Sequence, residues 1–196
     1  MIASSGKPFS VELLETSPKR PAFYVVGQSK FALLFVSTFG FYWTYWTYKN
    51  WRLYRAATGT KVLPLVRTVM GVFFVYSLFM KVDRRILASG RQYRWYPRSL
   101  ALAVILTACA GATRVWVLDA HVSFALFLLV LLLLTCCLMR VQAAINFSEY
   151  GVEEPINSTL TFANGIWVGL GLSWWGVVIL TYYFLVQGGP LEGANP

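Results

Sequence analysis

Apolar residues run through this chain in long blocks, not in the alternating or one-sided patterns of a water-soluble fold. Phe31 to Tyr48 holds 18 residues without a charge, just enough for one spanning helix. Ser99 to Leu118 forms a second candidate span, with Arg114 near its far end. Val122 to Met139 is a third, built around the run LLVLLLL, and Ile166 to Val186 is a fourth, of 21 residues. Only Asp119, Ala120 and His121 separate the second from the third, and so short a turn predicts an antiparallel hairpin. Val62 to Met80 is less regular. Pro64 and Arg67 interrupt its start, and the unbroken part from Thr68 to Met80 has 13 residues. That is short for a span and typical of a re-entrant or interfacial element. The pattern predicts an all-α integral membrane protein with about four transmembrane helices plus one short re-entrant or interfacial helical element.

These segments make a single helical membrane domain over residues 29–187. Residues 1–28 read as a polar N-terminal tail holding Pro8, Pro18 and Pro21, without the apolar core of a signal peptide. Residues 188–196 read as a flexible C-terminal tail. The segment Arg140 to Asn164 reads as a polar linker, into which Gln142 and Asn146 extend the third span.

Composition agrees. Hydrophobic residues make up 57% of the 196 and charged residues 13%, with a mean hydropathy of +0.57. Water-soluble domains carry roughly 25% charged residues. Cys109, Cys136 and Cys137 all lie in apolar runs, and an odd count with two neighbours does not suit a disulfide framework. They read as small buried apolar side chains, with acylation of Cys136 or Cys137 as the weaker alternative.

Charge sets the orientation. Of 17 Lys and Arg, eleven fall between Lys49 and Arg98, with Asp83 the only acid among them. In a membrane protein such a cluster marks the cytoplasmic face. Residues 81–98, with six cations, are therefore placed in the cytoplasm, the Asp119–His121 turn outside, and the C-terminus outside. The N-terminal half has two solutions. If Val62–Met80 is a fifth span, the N-terminus is inside but Lys49, Arg52, Arg55 and Lys61 lie outside, against the charge rule. If that segment dips in and returns, all eleven cations share one side and the N-terminus is outside. Charge and length favour the second.

Seven of the eleven residues from Phe41 to Trp51 are aromatic. Tyr and Trp have apolar bodies and polar tips, so they settle at headgroup level, with Lys49, Arg52 and Arg55 reaching water and lipid phosphate. Ser99, Ala103, Thr107 and Gly111 repeat every four residues, and Gly165, Gly169 and Ser173 do the same. Both sets read as helix-packing faces, within the monomer or against another membrane protein or a second copy.

Candidate chemistry is sparse. No phosphate-cradling glycine loop, Ser-His-Asp set or metal-ligand spacing is present. No carboxylate lies inside a clear span, where an ion-coupled transporter would need one. The sequence therefore points to no catalytic residue, no cofactor and no metal. His121, the only histidine, reads as surface polarity beside Asp119, and Arg114 as a cation reaching the interface. Lys81, Arg84, Arg85, Arg91, Arg94 and Arg98 alternate with Tyr93, Trp95 and Tyr96. Beside apolar segments they suit anionic lipid headgroups and not nucleic acid, which would need a folded platform. Arg67, Arg140, Gln142 and Asn146 are candidates for a polar headgroup cavity, against a simpler reading in which Arg67 snorkels and the amides cap or pack helices. Asn146-Phe147-Ser148 and Asn157-Ser158-Thr159 fit the glycosylation pattern but fall on the cytoplasmic side.

The run KFALLFVSTFGFYWTYWTYKNW resembles an N-terminal motif of small multi-span inner-membrane proteins of Gram-negative bacteria. A Lys-Phe pair precedes an apolar run, then Thr-x-Gly-x-Tyr, then Tyr-Trp-x-Tyr-x-x-Trp. Here these are Lys30, Phe31, Thr38, Gly40, Tyr42, Tyr45, Trp46, Tyr48 and Trp51. Pro64, Arg67, Gln142, Asn146, Asn157, Asn164 and Trp167 are similar to that group as well. The resemblance implies a bacterial inner membrane and carries no activity. The leading expectation is a non-catalytic membrane subunit or scaffold of a larger assembly. The alternative is a small transporter or lipid-handling protein that binds anionic headgroups at its basic face. A lipid-directed enzyme is weaker, for want of a nucleophile and base.

Overall fold

The computed structural model describes residues 21–113, 119–150 and 157–187. These form seven helices: α1 (Gln28–Ser37), α2 (Tyr42–Thr58), α3 (Pro64–Val69), α4 (Gly71–Ala88), α5 (Pro97–Thr113), α6 (Ala120–Tyr150) and α7 (Phe162–Gln187). No strand occurs among the described residues. Two helices, α6 and α7, are long and apolar enough to cross a membrane, and α5 is a shorter apolar helix. At 1.5 Å per residue, α6 is about 46 Å long and α7 about 39 Å. Arg114–Leu118, the end of the second candidate span, lies outside the described residues, as do both terminal tails.

The stretch Phe31–Tyr48, expected as one spanning helix, is instead two helices with a break at Thr38–Phe41. Gly40 has φ +83° and Phe39 φ +54°, both left-handed, which an α-helix cannot propagate. Several polar groups released by the break find partners. Thr38 Oγ1 donates to Leu34 O at 2.7 Å and accepts from Tyr42 N at 3.0 Å. Gly40 N donates to Phe35 O at 2.8 Å, and Trp175 Nε1 on α7 donates to Val36 O at 3.1 Å. A helix end needs partners for the backbone groups it frees, and Thr38, Gly40 and Trp175 supply them at this break.

Beyond the break the chain doubles back. Phe31 lies edge-on to both Tyr42 and Trp46, Tyr24 edge-on to Tyr45, and Phe23 stacks on Tyr54 at 5.8 Å. Residues 22–26 and the end of α2 therefore lie at the same end of the molecule. The tip is at the other end of this fold: Phe39 stacks on Trp175 at 4.4 Å and on Phe127 at 5.8 Å.

Val62–Met80 is also two helices, broken at Met70, and the second continues to Ala88. Pro64 opens α3, where its missing N–H is no loss. At the second break Gly71 lies against the Trp43 ring, and a Cβ there would stand 2.9 Å from Trp43 Nε1.

The buried core sits toward one end. It is made by Phe23 and Val26 of the extended segment, Phe31, Leu34 and Phe35 of α1, and Trp46 and Trp51 of α2. Leu78, Phe79 and Val82 of α4 and Leu138, Val141 and Ile145 of α6 complete it. Along α6 the buried positions Leu131, Thr135, Leu138, Gln142 and Ile145 follow a 4-3-4-3 spacing, one continuous seam. The expected polar linker is thus partly helix: Arg140–Tyr150 extends α6 by about three turns. On α7 one described residue is buried, Gly171, where a Cβ would collide with the Ser37 carbonyl.

Candidate functional site

Three features of the described residues have functional potential: a buried polar clamp, a basic end, and an aromatic groove. The clamp holds residues 22–26, an irregular segment ahead of α1, between α2 and α6. Alternate residues along it are met by side chains. Ala22 N donates to Glu149 Oε2 at 2.9 Å, Tyr24 N to Asn50 Oδ1 at 3.0 Å, and Val26 N to Asn146 Oδ1 at 3.3 Å. In return Gln142 Nε2 donates to Tyr24 O at 3.0 Å, and Asn146 Nδ2 to Val26 O at 2.9 Å. Gln142 Nε2 also donates to Asn146 Oδ1 at 2.7 Å. Gln142, Asn146 and Glu149 fall at i, i+4 and i+7, one face of α6. They stand in for the neighbouring strand that an extended segment would otherwise need. Trp46 Nε1 closes the network on Gln142 Oε1 at 2.6 Å, and Asn50 Nδ2 is held by Trp46 O at 2.8 Å.

Two further anchors fix the ends of this segment. Arg85 Nε lies 2.7 Å from Glu149 Oε1, with the Glu149 side chain 2% exposed and that of Arg85 25% exposed. Lys30, buried at the start of α1, donates to Asn157 Oδ1 at 3.0 Å and to Thr159 O at 2.7 Å. Burial pushes the Lys30 ammonium below its ordinary pKa.

The expected polar cavity is therefore not assembled. Gln142 and Asn146 are together, but both are buried on the chain's own backbone. Arg140 is exposed on α6. Arg67 lies elsewhere, with its guanidinium carbon 4.3 Å from the Trp51 ring and 5.1 Å from the Phe74 ring. It does not snorkel freely; it sits against two aromatic rings as a cation–π contact. Sequence reasoning missed Trp46, Asn50, Glu149 and Lys30 as members of the clamp. The signal was present in the i, i+4 pair Trp46–Asn50 and in the continuation of the Gln142 face to Glu149.

The six cations expected to meet headgroups divide in two. Arg84, Arg94 and Arg98 are exposed. Lys81 donates to Tyr54 Oη at 3.0 Å, Arg85 pairs with Glu149, and Arg91 donates to Ser148 O at 3.0 Å while lying over the Phe147 ring. These three tie the basic segment to α2 and to the end of α6. Trp95 Nε1 donates to Asp83 Oδ1 at 3.0 Å, and Tyr93 stacks on Phe147 at 4.7 Å.

The small-residue faces also divide. Gly111 packs against Val130 of α6, while Ser99 is exposed at the start of α5 and Ala103 and Thr107 are half-buried. Positions Gly165 and Gly169 face open space, and Ser173 is exposed, its hydroxyl returned to Gly169 O at 3.0 Å. The packing contact of α7 is made by Gly171 instead.

The groove encloses about 710 Å³ between α1, α2, α3 and the start of α7. Its walls include Phe41, Tyr45, Tyr48, Leu65 and Trp167, with Thr161 and Asn164 at the α7 end. Thr161 and Asn164 cap each other: Thr161 Oγ1 and N both donate to Asn164 Oδ1, at 2.9 and 3.1 Å. Tyr42 lines the same groove. Its buried hydroxyl faces Tyr24 but makes no well-formed hydrogen bond.

At the opposite end His121 Nδ1 and Tyr182 Oη are 2.6 Å apart, and Phe124 stacks on Tyr182 at 4.5 Å, closing α6 on α7. Asp119 Oδ1 accepts from Val122 N at 2.8 Å, which makes it the cap of α6. Among the described residues no three His, Cys, Asp or Glu side chains gather as a metal site. Comparison with protein-family models, with curated proteins and with solved structures gives no match for this chain.

Proposed function

We propose that this chain is a non-catalytic integral membrane subunit or scaffold of a larger assembly in a bacterial inner membrane. The observation that carries this reading is the open face of α7. At Gly165, Gly169 and Gly176 nothing in the fold stands within 4 Å of where a Cβ would be. In lipid, small-residue faces gain by letting helix backbones approach. Within the monomer α7 makes that approach once, at Gly171 on roughly the opposite side. A second membrane helix, from a partner or from another copy, is the occupant that the open face fits.

The membrane frame belongs to the same proposal. α6 and α7 cross fully, and α5, a shorter apolar helix, is the third crossing. The four crossings expected from hydropathy become three, because the first apolar run turns back at Gly40. In this frame the start of α1, the end of α2, residues 81–98 and the end of α6 all face the cytoplasm, while Asp119 and Gln187 face away. The eleven cations from Lys49 to Arg98 then share one side, as the charge rule favours, and no positively charged tail is exported. The motif from Lys30 to Trp51, which resembles that of small bacterial inner-membrane proteins, supplies the break and part of the clamp. That supports the bacterial location.

The test is extraction of the tagged protein in native lipid particles, with mass spectrometry of what accompanies it. The expected result is a stoichiometric membrane protein or a homo-oligomer that is lost on Gly169→Trp, while the variant keeps wild-type thermal stability. Recovery of the wild-type chain alone and monomeric would overturn the proposal, and so would a complex indifferent to Gly169→Trp.

A further inference from the structure

We infer that Arg98 and Arg140 form a surface for anionic phospholipid headgroups in the cytoplasmic leaflet. This inference rests on the membrane placement above and is independent of the partner on α7. Helices α5 and α6 pack side by side, and two contacts show that they run antiparallel and fix their register. Tyr93, just ahead of α5, stacks on Phe147, and Gly111 lies against Val130. On the helical rise alone, Arg98 is about 20 Å from Gly111 and Arg140 about 15 Å from Val130, in the same direction. The two arginines therefore stand within about 5 Å of one depth. Asp119, which caps the other end of α6, is about 32 Å from Arg140 by the same rise. A hydrocarbon core is about 30 Å thick, so both arginines fall where hydrocarbon gives way to phosphate.

Each arginine heads an exposed apolar stripe. Along α5, Arg98, Leu102 and Leu106 are exposed at i, i+4 and i+8. Along α6, Arg140, Cys136, Leu133 and Leu129 are exposed at i, i−4, i−7 and i−11. A cation in line with lipid-facing leucines, at phosphate depth, meets lipid headgroups first. A soluble polyanion would have to displace them. Tyr96, exposed beside Arg98, has the apolar body and polar tip that suit this level.

Charge selects the headgroup. Among the described residues, neither guanidinium makes a hydrogen bond or an ion pair. The two described acids at this end are spent elsewhere: Asp83 accepts from Trp95 Nε1, and Glu149 holds Arg85 and Ala22 N. Lys81, Arg85 and Arg91 are likewise spent within the fold. Each free guanidinium offers parallel N–H donors to phosphate oxygens. A zwitterionic headgroup brings its own cation up to two uncompensated arginines. Phosphatidylglycerol brings none, so the net-negative lipid is favoured.

The experiment titrates the full chain, delipidated in detergent, with phosphatidylglycerol or phosphatidylcholine and counts retained lipids by native mass spectrometry. The wild-type chain should retain phosphatidylglycerol in preference. Arg98→Gln with Arg140→Gln should cut that preference about fivefold, equivalent to about 1 kcal/mol. Arg98→Lys with Arg140→Lys keeps the charge and should recover most of it. Arg52→Gln with Arg55→Gln removes the same charge from α2, past Trp46 and its bond to Gln142 and so further from the hydrocarbon, and should leave the preference unchanged. All four positions are exposed, so each variant should keep the wild-type thermal midpoint. Equal losses from the two Gln pairs would overturn the surface, leaving only diffuse charge. Equal retention of both lipids by the wild-type chain would overturn the anionic selectivity. The membrane placement is read separately, from spin labels on Arg98→Cys and Arg140→Cys in phosphatidylcholine vesicles, in a background without the native cysteines. Both labels should report phosphate depth. A label at the bilayer centre, or both in bulk water, would remove the placement whatever the titration gives.

Discussion

The indole of Trp46 donates to the carboxamide of Gln142 at 2.6 Å, and both side chains are fully buried. This one bond joins α2 to α6 across 96 positions of sequence and holds the amide so that its nitrogen reaches Tyr24 O and Asn146. Gln142→Leu keeps the volume and removes every polar partner, leaving Trp46 Nε1 and Tyr24 O buried and unpaired. Each such group costs about 1–3 kcal/mol. The variant should lose about 2–4 kcal/mol, read as a lower thermal midpoint in detergent. A midpoint within a degree of wild type would mean that the network is not holding residues 22–26.

The Arg85–Glu149 pair anchors the other end of the clamp. Arg85→Leu leaves a carboxylate that is 2% exposed with Ala22 N as its remaining strong partner. Removing one member of a buried pair costs about 3–5 kcal/mol, and partial exposure of Arg85 puts this case at the low end. Adding Glu149→Leu should recover part of the loss, because the stranded charge is removed. A double variant less stable than Arg85→Leu alone would contradict the assignment.

Gly40 and Gly59 make a matched comparison. Both have positive φ, +83° and +66°. A Cβ on Gly40 would also stand 3.3 Å from the Phe35 ring, whereas one on Gly59 meets nothing within 4 Å. Alanine at either pays the left-handed penalty of about 1–2 kcal/mol. Gly40→Ala should cost more, by about 1 kcal/mol of overpacking. Equal losses in chemical or thermal unfolding would show that the break is looser than described.

Gly171→Ala and Gly169→Ala should diverge sharply. The first places a methyl on the Ser37 carbonyl, between α7 and α1; the second places it in open space. The expected result is faster proteolysis or hydrogen exchange at the α1–α7 contact in Gly171→Ala. Gly169→Ala should be neutral or gain up to about 1 kcal/mol from helix propensity. Similar behaviour of the two would remove the special role given to Gly171.

Hydropathy made α6 and α7 legible because each is one long apolar block. The apolar block stops at Met139 while α6 runs eleven residues further; Gln142 and Asn146 carried the helix into the linker, but Glu149 looked solvated because its partner, the backbone of residue 22, lies over a hundred positions away in sequence. The break in Phe31–Tyr48 was hidden for a related reason. One glycine in an uncharged run is common in membrane helices, and only the bonds made by Thr38 and Trp175 turn it into a reversal. Arg67 was weighed as a cation seeking headgroups, and no spacing rule places it against Trp51 and Phe74. The small-residue repeat on α7 was visible, yet the repeat could not tell that Gly171, outside it, makes the close contact.

The central claim is that the chain turns back at Thr38–Phe41, so that the start of α1 and the end of α2 share a side. It is tested most directly with single cysteines in a background lacking Cys109, Cys136 and Cys137, labelled in spheroplasts by a membrane-impermeant maleimide. Ser29→Cys, Thr58→Cys and Ser89→Cys should all be protected until the membrane is opened, while Asp119→Cys should be labelled in intact spheroplasts. Labelling of Ser29→Cys in intact spheroplasts, with Thr58→Cys protected, would mean that the first apolar run crosses the membrane, and would contradict the account.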